Sequence, residues 1–187
     1  MGTNIEMYVE VYNNGRWHDG DLYKRENDSF ERMAIWEHRD YLLFGILANV
    51  RNYYGNPYIA EPRGVPEDVN YMLKNILENM ELYGAAISET ETNNASYFTL
   101  RELQEYHKTM PLLNEGGIIS PEEQRALDEN GTVPTESYIN CERDGWEYRT
   151  WTTTHDPLVT LIRLLEERAD RFNIANPSHI RIIFAFD

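Results

Sequence analysis

Between residues 36 and 66 the chain sets Arg39, Arg51 and Arg63 among Trp36, Tyr41, Phe44, Tyr53, Tyr54 and Tyr58. A planar guanidinium can fork onto two phosphate oxygens, and an aromatic face can stack on a base. Cations and rings interleaved in this way suit a ligand that joins phosphates to bases. Arg63 is the most sharply presented of the three, because Pro62, Gly64 and Pro66 stiffen the loop around it and Glu61 stands close enough in sequence to orient it. Tyr97 and Trp151 add stacking surfaces from later in the chain. The candidate ligand-binding set is therefore Trp36, Arg39, Tyr41, Arg51, Arg63, Tyr97 and Trp151.

Residues suited to catalysis are more dispersed. His18, His38, His107, His155 and His179 lack metal-ligand spacing, and His38 has no histidine partner four residues away, so neither a metal nor a cofactor is expected. His155 and Asp156 could pair a base with an orienting carboxylate, but Asp156 reads more simply as a helix cap. Thr152, Thr153 and Thr154 place hydroxyls beside that imidazole in what reads as a loop. Cys141 has no neighbouring cation or helix start in the sequence to activate it, and as the lone cysteine it allows no internal disulfide. The phosphate-cradling GxxxxGK(S/T) and GxGxxG loops and the GxSxG elbow are absent. This pattern points to binding without chemistry, with His155 or His107 as the base if the ligand is cleaved.

Composition narrows the partners. The 187 residues, 41% hydrophobic and 26% charged, fit one α+β domain spanning 1–187. The longest apolar run, Tyr41 to Val50, is about half the length needed to span a bilayer, and the N-terminus lacks a leader pattern, so a cytoplasmic protein is expected. A formal charge of −15 argues against direct binding to nucleic-acid backbones or anionic membranes. The same acidity would suit an inhibitor or DNA mimic that docks on a basic host protein through the carboxylates of residues 61–91 and 115–147. A ligand held between protomers would favour a homo-oligomer.

Strands and helices alternate to position these groups. Ile5 to Tyr12 alternates apolar and polar residues as a half-buried strand, and Asn14-Gly15 turns it. Residues 18–28 read as a polar loop ending in a capping box of Asp28 and Glu31, which predicts a helix to about Arg51. Gly55 to Gly64 is a Gly/Pro loop, and a second helix is expected from about Pro66 to Gly84 with Val69, Met72, Leu73, Ile76, Leu77 and Met80 as its apolar stripe. Thr99 and Glu102 form a capping box for a helix through about His107, and Ser120-Pro121-Glu122-Glu123 starts another. Asp144-Gly145 predicts a two-residue hairpin over Tyr138 to Trp151, with Cys141 opposite Tyr148 and Ile139 opposite Thr150. Asp156-Pro157 caps a helix to about Phe172, and Ile180 to Phe186 is an apolar strand expected beside the Met7–Val11 strand. The expected fold is an antiparallel or mixed sheet covered by helices.

Several of these segments carry a resemblance. The stretch from Trp36 to Asn52, with Arg39, Tyr41, Phe44 and Arg51, followed by Ile59 to Val69 through Glu61-Pro62-Arg63-Gly64-Val65-Pro66, resembles a family of small uncharacterised proteins of tailed bacteriophages. The acidic N-terminal strand, Ser96 to Leu103 and Ile180 to Asp187 are similar too. The resemblance implies a non-structural phage accessory protein acting in a host bacterial cytoplasm, a class that frequently interferes with host defences. Relatives carry histidines just before Ser96, where this chain has Asn93, Asn94 and Ala95, which argues against a histidine-dependent family activity here. Joined to the arginines and rings, this origin leads to the expectation of a counter-defence protein that sequesters a nucleotide-derived immune signal, of cyclic oligonucleotide or ADP-ribose type.

Overall fold

The first and last strands lie side by side at the centre of the molecule. The computed structural model describes residues 3–84 and 95–186; Asn93, Asn94, Glu89 and Glu91 lie outside them. The elements run β1 (Ile5–Asn13), β2 (Arg16–Asp19), β3 (Leu22–Glu26), β4 (Ser29–Met33), α1 (Tyr41–Ala48), α2 (Tyr71–Gly84), β5 (Ser96–Thr99), α3 (Leu100–Thr109), β6 (Leu113–Ile119), α4 (Pro121–Asn130), β7 (Glu147–Thr153), α5 (Pro157–Arg171) and β8 (Ile180–Phe186). A four-stranded antiparallel sheet has the order β2-β1-β8-β5, and β3-β4 and β6-β7 form two-stranded sheets. The architecture is α+β. Among the described residues no helix is long and apolar enough to cross a membrane.

Period-two side-chain alternation divides the central sheet between two cores. Met7, Val9 and Val11 of β1 and Ile180, Ile182 and Phe184 of β8 pack with Leu43, Phe44 and Leu47 of α1, Leu103 of α3 and Leu161 and Leu165 of α5. On the other face Tyr8 and Ile183 meet Leu73 and Leu77 of α2. β1 is thus buried on both faces, where its alternation suggested one, because α2 covers the second.

Local chemistry sets the ends of most elements. Asn14 (φ 49°) and Gly15 (φ 80°) make the left-handed pair that a tight β1-β2 turn requires. Thr99 and Glu102 close their capping box at α3, Ser120 caps α4, and Asp156 caps α5 by accepting from the Leu158 and Val159 amides.

Three expectations are corrected. The segment expected as a loop and then a helix from Asp28 to Arg51 is instead the β3-β4 hairpin, an irregular stretch and the short α1. Asn27 (φ 56°) supplies the hairpin turn, and Lys24 pairs with its cross-strand neighbour Glu31 at 2.9 Å, so Glu31 serves the ladder rather than a cap. α1 begins only at Asp40, whose Oδ1 accepts from Leu43 N, and ends at the left-handed Asn49. α2 starts at Tyr71 rather than Pro66, because Asn70 Oδ1 caps Leu73 N at 3.0 Å. The Tyr138–Trp151 hairpin does not form. The turn at Asp144-Gly145 is present, but β7 pairs with β6, placing Tyr148 opposite Ile118 and Thr150 opposite Gly116; only Tyr138 returns to β6, exchanging backbone bonds with Ile118.

Candidate ligand-binding site

An open cavity of about 780 Å³ lies between the start of α1 with its following loop and the β6-β7 ribbon. Its walls include Arg39, Tyr41, Arg51 and Trp151, joined by Tyr53, Tyr54, Tyr148, Glu115 and His155. Two guanidiniums and five aromatic side chains thus share one concavity.

Each wall has a local cause. Arg39 and Tyr41 flank the cap residue Asp40, so the start of α1 delivers both to the cavity rim. Arg39 Nε donates to Asn4 Oδ1 at 2.7 Å. Arg51 follows the helix C-cap in a left-handed conformation of its own (φ 52°), a strained position for a long side chain. Its Nε donates to Thr3 Oγ1 at 3.0 Å and its Nη1 to the Tyr53 hydroxyl at 3.1 Å. The Tyr53 ring stands edge-on to Tyr41, 6.5 Å between centroids.

Asparagines tie this wall to the ribbon. Asn56 is buried, its Nδ2 donates to Asn114 O at 2.9 Å and its Oδ1 accepts from Asn114 N at 2.8 Å, so a side-chain amide meets β6 as a strand's peptide would. Asn52 holds the Asn56 backbone in turn, accepting from its N–H at 2.9 Å and donating to its carbonyl at 2.7 Å. Tyr54 donates its hydroxyl to Gly116 O, and burial, with the neighbouring Tyr148, raises its phenol above the usual value. A Cβ on Gly116 would come within 2.8 Å of Arg149 O and 2.9 Å of the Tyr148 hydroxyl, so only glycine admits this packing of the tyrosines.

Charge in the cavity is mixed. His155 Nε2 lies 2.9 Å from Asp40 Oδ2 while Asp40 Oδ1 caps α1, which fixes the carboxylate on two sides. Glu115 stands opposite Trp151 in the β6-β7 register. Trp151 is 8% exposed, and its indole Nε1 is buried without a hydrogen-bond partner among the described residues.

The remaining candidate residues lie elsewhere. Trp36 is buried and donates Nε1 to His38 O at 2.9 Å. Arg63 pairs with Glu102 at 2.6 Å and lies 4.5 Å above the Phe98 ring and 5.6 Å from Tyr97. Burial works to raise the Glu102 carboxyl, but the Thr99 amide, Arg63 and the Thr99 hydroxyl together hold it below its ordinary value. Glu61 accepts from the Tyr58 hydroxyl instead of orienting Arg63. Tyr97 sits between Arg63 and Arg181.

The histidine pairs also differ from the sequence pattern. Asp156 meets His107 at 2.7 Å, while its neighbour His155 reaches Asp40. No three His, Cys, Asp or Glu side chains gather into a metal-binding group among the described residues. Tyr148 enters the cavity because β7 pairs with β6, Ser137 and Ile139 because they flank Tyr138 at its bridge to Ile118, and Glu115 because Asn56 binds its neighbour Asn114; the paired glycines Gly116-Gly117 are the one local sign of close approach there. No family model, curated protein or solved structure matches the chain.

Proposed function

We propose that the protein binds and sequesters a nucleotide-derived host immune signal, of cyclic oligonucleotide or ADP-ribose type, and does so as a phage accessory counter-defence protein. The observation that carries this reading is the meeting of Arg39 and Arg51 with Tyr41, Tyr53, Tyr54, Tyr148 and Trp151 on one cavity of about 780 Å³. Guanidiniums would take the phosphates and the rings would take the bases. The volume lies within the ~300–1,000 Å³ range of small-molecule sites.

The test is a thermal-shift and calorimetric screen against cyclic dinucleotides, cyclic trinucleotides and ADP-ribose derivatives, with mass analysis of ligand released on heating. The reading requires a shift of several degrees that Arg39→Ala and Arg51→Ala each abolish, with intact ligand recovered. His155 beside Asp40 in the same cavity favours a second reading, cleavage of that ligand with His155 as base, and recovery of altered ligand would select it. Absence of any shift would discard both and leave the acidic inhibitor of a basic host protein.

A further inference from the structure

We infer that Thr3 and Asn4, two residues outside the cavity wall, are the positioning residues of its cations, and that ligand affinity depends on them through Arg51 and Arg39. The inference rests on the nucleotide-binding reading and deepens it.

Arg39 and Arg51 leave the chain at opposite ends of α1, an eight-residue helix about 12 Å long. An arginine side chain has many rotamers, so nothing in the helix itself directs these two toward one ligand. Both nevertheless end on a single dipeptide. Arg39 Nε donates to Asn4 Oδ1 at 2.7 Å and Arg51 Nε to Thr3 Oγ1 at 3.0 Å, and consecutive Cα atoms are only about 3.8 Å apart. The stretch just before β1 therefore gathers what α1 sets apart.

The anchors are firm. Thr3 is buried, and Ile5, the residue after Asn4, pairs with Phe186 of β8, so the dipeptide is fixed to the central sheet. Arg39 is exposed, and its one bond through Nε sets the direction of the guanidinium while its Nη1 and Nη2 edge is the one that forks onto two phosphate oxygens. Arg51 is oriented by Thr3 together with the Tyr53 hydroxyl. A cation directed before the ligand arrives loses less rotamer freedom on binding, an advantage of about three- to tenfold in affinity for each arginine.

The test is calorimetric titration of the full chain with cyclic di-AMP, cyclic tri-AMP and ADP-ribose, beside NMR measurement of arginine Nε–H exchange without ligand. Thr3→Val should weaken the probe that binds wild type by about three- to tenfold and speed exchange at Arg51, and Thr3→Ser should restore both. Asn4→Leu should do the same at Arg39. Asn4→Asp separates positioning from stability, because it keeps an acceptor for Nε and adds a negative charge: exchange at Arg39 should stay slow and Tm should hold or rise, while affinity for the anionic probe falls. Thr3→Val and Asn4→Leu proteins that bind as wild type, where Arg39→Ala and Arg51→Ala do not, would overturn the positioning role and leave the nucleotide-binding reading intact. Affinity lost in Thr3→Val and not regained in Thr3→Ser would trace the effect to packing and overturn the role of the hydroxyl. Failure of all three probes to bind wild type would overturn both readings.

Discussion

Arg63 and Arg181, which share the Tyr97 ring, and Arg39 and Arg51, which share a cavity with five aromatic side chains, are partnered differently. Arg181 is 4% exposed, lies 3.9 Å over the Trp17 ring, donates Nε to Glu10 at 2.8 Å and Nη1 to Asp68 at 2.9 Å. Its Nη2 is 2.7 Å from Glu10 Oε2 but outside hydrogen-bond alignment, and attracts by charge alone. Glu10 also accepts from the Asn70 backbone and side chain, which fastens the cap of α2 to the central sheet. Arg63 likewise has Glu102 for a counter-ion and Phe98 for a stacking partner. In the cavity Arg39 donates to the Asn4 side chain, and Arg51 to the hydroxyls of Thr3 and Tyr53. An arginine beside rings that already holds a carboxylate, as Arg63 and Arg181 do, is accounted for by the fold and announces no ligand.

The strongest way to sharpen this contrast is Arg181→Met. It leaves the Glu10 carboxylate, which is fully buried, without its cation, and the expected loss is about 3–5 kcal/mol in urea unfolding, with the affinity of the folded fraction unchanged. Asp21 supplies a comparable test by pH. Burial pushes its carboxyl up to about 6 from 3.8, outweighing the guanidiniums of Arg32 and Arg168. A carboxyl raised on folding stabilises the protein fully below its unfolded value and loses that contribution as pH rises to the folded one. Between about pH 4 and 6 wild type should therefore lose on the order of 3 kcal/mol relative to Asp21→Asn, and parallel stability curves for the two proteins would refute this.

Asn56→Ala should cost about 2 kcal/mol, because it leaves the Asn114 amide and carbonyl without their partners, and should also weaken ligand binding by loosening the wall. The smallest effects on stability carry the comparison most directly. Arg63→Ala removes a half-exposed ion pair, with an expected loss of about 1 kcal/mol and ligand affinity retained. Arg51→Gly should be near neutral in Tm, since relief of the left-handed backbone strain, worth about 1 kcal/mol, offsets the lost Thr3 bond, yet ligand binding should fall at least as far as in Arg51→Ala. Binding lost in the Arg63 variant and kept in the Arg51 variant would reverse the contrast.

What the sequence discloses divides along the same line between local and distant contacts. The caps at Thr99, Ser120 and Asp156 involve residues two or three positions apart, so their helices can be read directly. The adjacency of β1 and β8 is legible because both are strongly apolar strands in need of a partner. By contrast, Asp28 and Glu31 have the spacing of a capping box but belong to a hairpin, and Asp144-Gly145 turns the chain without pairing its flanks. β7 finds its partner far upstream, across α4. Arg39, Tyr41 and Arg51 can be selected by type around one short helix, whereas Glu115 and Tyr148 reach the cavity through contacts distant in sequence, Asn56 with Asn114 and β7 with β6. The counter-ion of Arg63 is equally remote, and nothing near residue 63 discloses Glu102.

The Asn56 carboxamide has a consequence in evolutionary terms. Because one side chain stands in for a length of strand at Asn114, the segment that carries Arg51, Tyr53 and Tyr54 is fastened to the ribbon by two side chains, Asn56 and Tyr54, rather than by a ladder of paired residues. A lineage can rewrite the residues around those two attachments, and with them the lining of the cavity, while the sheets beneath stay as they are.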